Sequence, residues 1–506
     1  MKIRSLMSRN AIVVLIAALL TPLSLAGCAA VGPNYVRPKV QVPADWNSEA
    51  VGHSDSKRAD IKTLARWWST LNDSELTSLI ERAVKNNTDL RKARARVREA
   101  RARRGISRAT LFPSVDASGS VQHTHSNTQT GVAAGPNSLS TAGNAQAGAA
   151  ESDLYSAGFD ASWELDLFGG KRRAVEASQA DLEASEEDLN DVLVSLIGEV
   201  ASNYVDLRSF QTRLSIAEEN RDAQQETYQI VRWRYEAGLT TDLDVEQAKY
   251  SLEQTNAQIP TLQTGIEKAK NRLAVLLGLN PGSLEKELAE RESIPVASQE
   301  IAYGIPADML RNRPDVRRAE RQLAAETARI GVQTAELYPK LTLSGSIGLE
   351  ALSLSNLFNA SSKVYSYGPS FKWNIFNAGS VRQSIEAQNA VQEQALITYE
   401  ASILSALEEV NNALIAYAKE QSRRQSLFEA SQAAKRAAEL AQDQYSSGLI
   451  DFQSVLDAQR SLLNFQEQLA ESEAAVTSDL ISLYKALGGG WKSIASDENN
   501  SFAMEN

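Results

Sequence analysis

The sequence predicts an internally duplicated membrane protein of mixed α and β structure, in which each half contributes two β-strands and a long helical hairpin. Three observations lead to this fold class. A repeat in the 506-residue chain is offset by 210 residues. Four short stretches alternate between apolar and polar residues, and two others, 171–236 and 381–446, keep a helical period for longer than a globular domain requires.

The repeat covers most of the chain. The segment YEAGLTTDLDVEQAKYSLE from Tyr235 matches YSSGLIDFQSVLDAQRSLL from Tyr445, and the same offset aligns WELDLFGG from Trp163 with WNIFNAGS from Trp373. Further upstream the offset becomes 226, because the first half carries extra residues in the Ser/Gly/Ala-rich stretch 123–155, a predicted loop. This period far exceeds that of solenoid repeats, so we interpret it as a duplicated half-protein.

Each half contains two predicted strands. The alternation begins after Pro113 and after Pro339, and the second strand of each pair is predicted over 159–167 and 367–375. An apolar face with aromatics and an opposite charged face are typical of porin-type strands, with lipid outside and water inside. The aromatics predicted to face the membrane are Phe159, Trp163, Phe371 and Trp373. A half-buried soluble sandwich gives the same alternation, and the N-terminus favours the membrane.

The N-terminus is typical of a bacterial lipoprotein signal. Three basic residues and the apolar run 11–20 precede Leu-Ala-Gly-Cys, a lipobox pattern that predicts lipid attachment at Cys28 after removal of residues 1–27. A membrane anchor helix is the alternative, but the run is shorter than the ~20 residues that a span needs. Ala29, instead of aspartate, follows the cysteine and favours the outer membrane. Cys28 is the only cysteine, so no intramolecular disulfide can form.

Composition argues against several function classes. The net charge of −11 argues against nucleic acid as a partner, and the mean hydropathy of −0.31 argues against a helical membrane protein. The sequence contains no Gly-rich phosphate loop or nucleophile constellation, so we predict no enzyme activity and no cofactor except the covalent lipid. His123 and His125 could ligate a metal, but they lie at the edge of a predicted loop, and we predict no metal site.

The long helices are predicted to pair as coiled coils. Apolar residues recur in steps of four and three in the first long helix, at Leu193, Ile197, Val200, Tyr204 and Leu207. The returning helix from Val245 keeps this spacing, whose period of 3.5 implies a left-handed supercoil. Shorter helices over 75–109 and 307–336 open the two halves, and we expect them to stack end to end with the returning helices.

The strand number requires assembly. Four strands cannot close a barrel, because about eight are needed, and lipid tolerates no open sheet edge. The sequence alone allows a dimer or a larger oligomer.

The predicted domains are the signal peptide 1–27, an extended N-terminal segment with an equatorial region 28–74, the first repeat 75–282, a linker 283–306, the second repeat 307–491 and a polar tail 492–506.

The sequence resembles the outer-membrane factor family, the TolC-like export ducts, and within it the lipoprotein branch of multidrug efflux channels (NodT type). The resemblance covers essentially the whole mature chain, and its motifs are CAAVGPNYVRP, RWWSTLNDSELTSLIERAVKNNTDLRKA, SWELDLFG, RPDVRRAE, GLIDFQSVLDAQRSL and LYKALGGGW. It implies a homotrimer whose twelve strands form a barrel in the outer membrane of a Gram-negative bacterium, continuous with a helical coiled-coil barrel in the periplasm. It also implies a passive efflux function, with a periplasmic adaptor (membrane fusion protein) and a proton-driven inner-membrane pump of the RND type as partners.

The turns between the long and returning helices are the candidate functional site. Gly238 and Gly448 are predicted to end the long helices in the left-handed region. Asp242 and Asp451 are interpreted as N-caps, whereas Asp244 and Asp457 are interpreted as too deep in their helices for capping. The resemblance implies docking of the adaptor on the tip turns, at Gly238, Leu239, Asp242, Gly448, Leu449 and Asp451.

The resemblance also implies a periplasmic gate at these turns. Tyr445 and Asp244 match residues that hold the family's entrance shut, and Asp457 matches its inner aspartate ring. Gln453 occupies a position that can hold an apolar plug. The sequence departs from the best-known pattern at Ile450, in place of arginine, and at Ser454, in place of aspartate, so the bonding of this gate should differ.

Other functions are less consistent with the sequence. A structural envelope lipoprotein without a pore would keep the coiled coil but has no use for amphipathic strands with a charged inner face. The adaptor subunit of a pump would need lipoyl-like β halves around a single hairpin, and the sequence contains none. The exported substrate is not specified by the sequence.

Overall fold

An α-helix, two strands and two longer α-helices follow one another twice in the chain, and a further α-helix precedes the first set. The computed structural model describes residues 30–39, 64–126, 150–296 and 307–491. The first half contains α1 (Ser74–Asn86), α2 (Thr88–Ala109), β1 (Ser114–Ser126), β2 (Ala150–Leu165), α3 (Gly170–Glu236) and α4 (Asp242–Leu276). The second half contains α5 (Pro314–Ala335), β3 (Lys340–Ala351), β4 (Lys363–Lys372), α6 (Ser380–Ser446) and α7 (Phe452–Ala486). None of the described helices has an apolar stretch of the length that a membrane span requires.

The helix lengths agree between the halves. α3 and α6 each contain 67 residues, and α4 and α7 each contain 35. Both long helices begin and end within one residue of their predicted bounds. The single opening helix predicted over 75–109 is wrong, because it is interrupted at Asn87. The Asn87 side-chain oxygen accepts hydrogen bonds from the main-chain N–H groups of Asp89 (2.9 Å) and Leu90 (3.0 Å), and this cap starts α2 as a new helix.

The boundaries of the second strand in each pair also differ from the prediction, at both ends of β2 and of β4. β2 begins at Ala150, nine residues earlier than predicted, in a stretch whose small residues hide the alternation. β4 ends at Lys372, so Trp373 lies beyond this strand. The last pair of the β3–β4 ladder joins Lys340 to Lys372. The ladder stops there because Pro339 precedes β3 and has no N–H group to donate.

The chain forms two compact units. The first contains Arg101–Asp181, Leu323–Gln394 and residues up to Val36. Its four strands form one antiparallel sheet in the order β1-β2-β3-β4. β2 of the first half pairs with β3 of the second half, where Trp163 lies opposite Leu343.

The two faces of this sheet differ in polarity. One face carries Val115, Val121, Tyr155, Phe159, Trp163, Leu343, Ile347, Tyr365, Tyr367 and Phe371. The opposite face carries Asp116, Ser118, Ser120, Ser156, Asp160, Glu164, Ser344, Ser346, Ser366 and Lys372. On this polar face, hydroxyl pairs such as Ser120–Ser156 and Ser346–Ser366 lie at 2.8 Å across the strands. The alternation predicted from the sequence therefore runs in register through all four strands.

The second unit contains Arg37–Ala100, Leu182–Gln322 and Ala395–Asn506, and the part of it that the structure describes is mainly helical. The five predicted seam positions of α3, from Leu193 to Leu207, are all buried. Further along α3, polar side chains connect this helix to α7, where Gln459 donates to Thr227 at 2.9 Å and Arg213 pairs with Glu471 at 2.8 Å. Burial of each large aliphatic side chain contributes roughly 1.5–3 kcal/mol, so this seam stabilises the unit.

Each returning helix ends against the residue that precedes an opening helix. In the first half, the side-chain amide of Asn87 donates to the Leu276 carbonyl at 2.8 Å. In the second half, Arg313 occupies the matched position and donates to the Ala486 carbonyl at 2.6 Å. These contacts satisfy carbonyl groups at the helix ends, which have no intrahelical donor. They place the helices end to end at both junctions, as the sequence predicts.

Candidate functional site

The two turns that join the long and returning helices are called the first tip (residues 235–244) and the second tip (residues 445–454). Both begin with a Schellman motif. Gly238 has φ +74° and Gly448 has φ +75°, a conformation that glycine adopts without a Cβ penalty. The N–H groups of Leu239 and Leu449 each donate to the carbonyl five residues earlier, at 2.8 and 2.9 Å. The glycine prediction is confirmed at both tips.

The N-caps of the returning helices differ between the tips. Asp451 caps α7, since its carboxylate accepts from the Ser454 N–H at 3.0 Å. Hydrogen bonds from Ser454 hold the pKa of Asp451 below its ordinary value. The predicted N-cap at Asp242 is wrong, because Thr241 is the cap and Asp242 is the first helical residue. The repeat contained the signal, since its offset pairs Asp451 with Thr241.

Asp244 belongs to the cap of its own tip, so the interpretation that it lies too deep for capping is also wrong. Its carboxylate accepts from the Thr241 N–H at 3.1 Å, while the Thr241 hydroxyl accepts from the Asp244 N–H, a reciprocal capping box. The Thr240 hydroxyl donates to the same carboxylate. Partial burial acts to raise the pKa of Asp244, but these hydrogen bonds outweigh it and lower that pKa below its ordinary value.

Tyr445 is part of an apolar cluster that joins the two tips. Its side chain is 4% exposed, and the cluster contains Val231, Val245, Ala248, Tyr445, Phe452, Val455 and Leu456. The rings of Tyr445 and Phe452 lie 5.3 Å apart. Within the described residues, the buried Tyr445 hydroxyl has no hydrogen-bond partner. Tyr445 therefore connects the tips by packing.

Gln453 and Asp457 lie together on the exposed side of α7. The Gln453 side-chain amide donates to the Asp457 carboxylate at 2.9 Å, one helical turn away. Both side chains are exposed, as are the apolar residues Leu239 and Leu449 in the middle of the tips. Asp457 does not cap a helix, so its exposed carboxylate can interact with ions or groups outside the tip.

The sequence reasoning missed three features next to the tips. Trp233 is 63% exposed beside the first tip, and the Arg460 guanidinium lies 5.1 Å from the centre of the Tyr250 ring. Arg234 contacts the second tip and was also missed. A cation in the last turn of a helix is a recognised signal for contact with carbonyl groups, and it could have indicated Arg234.

The predicted membrane-facing aromatics lie on or next to the apolar face of the sheet. Phe159 and Phe371 are exposed there, and Trp163 is half-buried. The indole N–H of Trp163 donates to the Leu111 carbonyl at 3.0 Å, and that of Trp373 donates to the matched Leu337 carbonyl at 3.0 Å. The predicted lipid site at Cys28 lies outside the described residues.

No group of three or more metal-binding side chains occurs among the described residues. At the end of β1 and the start of β2, Nδ1 of His123 lies 2.6 Å from the Asp153 carboxylate and Nδ1 of His125 lies 3.3 Å from the Glu151 carboxylate. These are two separate cross-strand pairs. The described site thus combines capped turns, an apolar cluster that joins the two tips and exposed carboxylates, without a catalytic constellation.

Comparison with known proteins agrees with this architecture. The family model for outer membrane efflux protein matches residues 79–279 and 305–489. The chain is 31% identical to nodulation protein T of Rhizobium leguminosarum bv. trifolii, over 94% of this chain and 97% of that protein. It is 32% identical to the solvent efflux pump outer membrane protein SrpC of Pseudomonas putida, over 93% and 97%. The solved structure of the outer-membrane channel OprN matches with a TM-score of 0.83 and 37% identity, over 92% of this chain and 100% of that chain.

The fold and these matches define a class of protein that lies in the outer membrane and forms an efflux channel. The chain belongs to the outer membrane efflux protein family.

Proposed function

We propose that the chain forms, as a homotrimer, the outer-membrane channel of a tripartite efflux system, and that its tips form the periplasmic gate. Substrates would pass through it without chemical change. The exposed carboxylate of Asp457 with Gln453 would line the entrance. Asp244 would fix the shape of the first tip through its cap, and Tyr445 would hold the second tip through its buried ring.

The observation that carries this proposal is the four-stranded sheet. Within the described residues, β1 and β4 each pair on one side, so the sheet has two free edges. A sheet with an apolar face cannot leave its edge N–H and C=O groups unpaired in lipid. Three copies would supply twelve strands, enough for a closed barrel with its polar face toward a water-filled interior.

The two long helices support contact with further copies. Val194 of α3 is 5% exposed, whereas its match on α6, Leu404, is 66% exposed. Ala180 of α3 packs against Ala324 of α5, whereas its match on α6, Ala390, is exposed. Matched positions in a duplicated chain should have similar surroundings. We infer that a second copy covers this face of α6.

The partners follow from the proposed place of the channel. A periplasmic adaptor would dock on the tip turns, where Leu239 and Leu449 offer exposed apolar side chains, each two residues before the N-cap of its tip. An RND-type pump in the inner membrane would supply the driving force. SrpC is named for solvent efflux, and an apolar small molecule is accordingly one candidate cargo here. We also propose a lipid anchor on Cys28.

Assembly and lipidation can be measured together. Native mass spectrometry of the protein extracted from outer membranes in detergent should give three chains, each beginning at Cys28 and carrying the mass of covalent lipid. Cys28→Ser should lose the lipid mass while the trimer remains, because the sheet edges and α6 supply the association. A stable monomer or dimer would contradict the trimer, and an unmodified Cys28 would contradict the anchor.

The charge of Asp457 should set the ion preference of the channel. Three copies near one axis would form a carboxylate ring that attracts cations. In planar bilayers we expect a cation-selective channel of low conductance that multivalent cations block from the tip side. Asp457→Asn should remove most of this selectivity and block. Glu246→Gln, which removes an exposed carboxylate from the other returning helix, should change neither. Unchanged selectivity in Asp457→Asn would show that Asp457 is an ordinary solvated residue.

A further inference from the structure

Arg234 lies where the first tip meets the second. It stands in the last turn of α3. Its Nη1 group donates to the carbonyl oxygens of Tyr445 at 3.1 Å and Ser446 at 3.4 Å, in the last turn of α6. Its guanidinium carbon lies 4.6 Å from the centre of the Tyr445 ring. One side chain thus contacts both the main chain and the aromatic ring of the other tip.

These contacts suit the end of a helix. The last carbonyls of a helix have no intrahelical donor and carry the negative end of the helix dipole. The Schellman turn supplies donors to the Gln444 and Tyr445 carbonyls, and Arg234 adds a charged donor that also reaches Ser446. Hydrogen bonds with a charged donor are roughly twice as strong as neutral ones. The position of the cation over the tyrosine ring adds a further attraction.

The second half of the chain has no counterpart of the Arg234 contact among the described residues. The residue of α6 that matches Arg234 is Gln444, which is exposed and has no positive charge. Tyr235, which matches Tyr445, is 44% exposed. The duplicated halves therefore differ at this point, and the first tip holds the second by a contact that the second tip does not return.

We propose that Arg234 is the positioning residue that latches the second tip to the first in the closed channel. The proposal rests on the proposed channel function and adds to it a specific contact within one protomer. When the Arg234 contact to the Tyr445 and Ser446 carbonyls is lost, the second tip is free to move away from the first. The entrance then opens.

The same geometry gives the tyrosine hydroxyl no part in the latch. The Tyr445 hydroxyl is buried and has no hydrogen-bond partner within the described residues. Asp244, the other gate residue that the family resemblance implies, already accepts hydrogen bonds from Thr240 and Thr241. A buried hydroxyl without a partner is unfavourable, so its removal costs little. The ring, by contrast, fills the apolar cluster and lies under the Arg234 cation.

Single-channel recording of the full-length protein in planar bilayers tests the latch. Arg234→Gln should raise the ratio of open to closed channels by about tenfold, because charged hydrogen bonds are lost only from the closed state. Arg234→Lys should have a smaller effect, since an ammonium group can donate but lacks the planar fork. Tyr445→Phe should behave as wild type. The matched control is Arg232→Gln, two residues away, whose side chain pairs with Glu236 on the exposed surface.

The outcomes separate the latch from the proposed function. A wild-type protein that forms no channel would contradict the proposed function. A wild-type channel with an unchanged open ratio in an assembled Arg234→Gln variant would overturn the latch alone. Opening by Tyr445→Phe as large as that by Arg234→Gln would assign the closing contact to the hydroxyl and would also overturn the latch. Assembly of each variant is checked by native mass spectrometry and helical circular dichroism. If Arg234→Gln does not assemble, the open ratio of Arg234→Lys is compared with wild type instead, and an unchanged ratio would overturn the latch.

Discussion

Gly158→Ala is expected to separate the two halves of the sheet and to abolish assembly of the channel. Gly158 lies opposite Gly348 in the β2–β3 pair, which joins the halves. A Cβ atom at Gly158 would lie 2.8 Å from the Ile347 carbonyl oxygen and 2.9 Å from the Gly348 Cα. One at Gly348 would lie 2.8 Å from the Ala157 carbonyl oxygen. These neighbours are main-chain atoms, so the strands themselves must move apart.

The expected loss is large because the damage falls on a strand pair. Overpacking costs about 1–3 kcal/mol where side chains can adjust, and more where only the backbone can. Without the central pairing, the sheet would become two isolated hairpins, which are at best marginally stable. The assembled oligomer in outer-membrane extracts, measured by native mass spectrometry, should fall to a small fraction of wild type.

Gly368→Ala is the matched control. Gly368 lies in β4 on the same polar face, and a Cβ atom there meets no heavy atom within 4 Å. Its assembly should equal that of wild type. If Gly158→Ala assembles as well as Gly368→Ala, the close approach of β2 and β3 does not limit this sheet.

Features with a long or repeated signal could be predicted from the sequence. The bounds of α3 and α6 are set by many successive heptad positions, so an error at one position changes little. The strand faces were predictable because apolar and polar residues alternate in the strands of both halves of the chain. The capping of α4 by Thr241 was equally predictable, since the offset that pairs Tyr235 with Tyr445 also pairs Thr241 with Asp451.

Features that depend on contacts between distant segments could not be predicted. Arg234 binds Tyr445, which is 211 residues away in sequence, and only the packing of two hairpins brings them together. The sequence shows glycines at 158 and 348, but their opposition depends on the register of β2 and β3. The resemblance implied that Tyr445 and Asp244 help to hold the entrance shut. Within the chain, the carboxylate of Asp244 accepts hydrogen bonds from the threonines of the first tip.

Arg313→Ala is expected to destabilise the helical unit by about 3 kcal/mol. The Arg313 side chain is 8% exposed. It forms a two-bond fork with Asp315 (3.0 and 2.7 Å), pairs with Glu409 at 2.7 Å and donates to the Ala486 carbonyl at 2.6 Å. Removal of one partner from a buried ion pair typically costs about 3–5 kcal/mol, because the remaining charge is left unpaired. We expect the lower end of this range, since Glu409 is half exposed.

Arg291→Ala provides the comparison for a similar fork on the surface. Arg291 also makes two bonds to one carboxylate, Glu218, at 2.7 and 3.2 Å, but its side chain is 45% exposed. Exposed pairs contribute at most about 1 kcal/mol. Denaturant unfolding followed by helical circular dichroism should therefore show a clear loss in Arg313→Ala and little change in Arg291→Ala. Equal losses of unfolding free energy in the two variants would show that burial of Arg313 does not strengthen its ion pairs.

The pH dependence of this difference tests its electrostatic origin. Burial acts to raise the pKa of Asp315, but the hydrogen bonds and charge of Arg313 outweigh it and lower that pKa below its ordinary value. A carboxylate with a lowered pKa contributes stability above its unfolded pKa and loses it as the pH falls through the folded one. The difference in unfolding free energy between wild type and Arg313→Ala should therefore be constant near neutral pH. It should shrink as the pH falls below the ordinary aspartate value of about 3.9. A difference that does not change at acidic pH would show that Arg313 acts through packing and its bond to Ala486, and not through its charge.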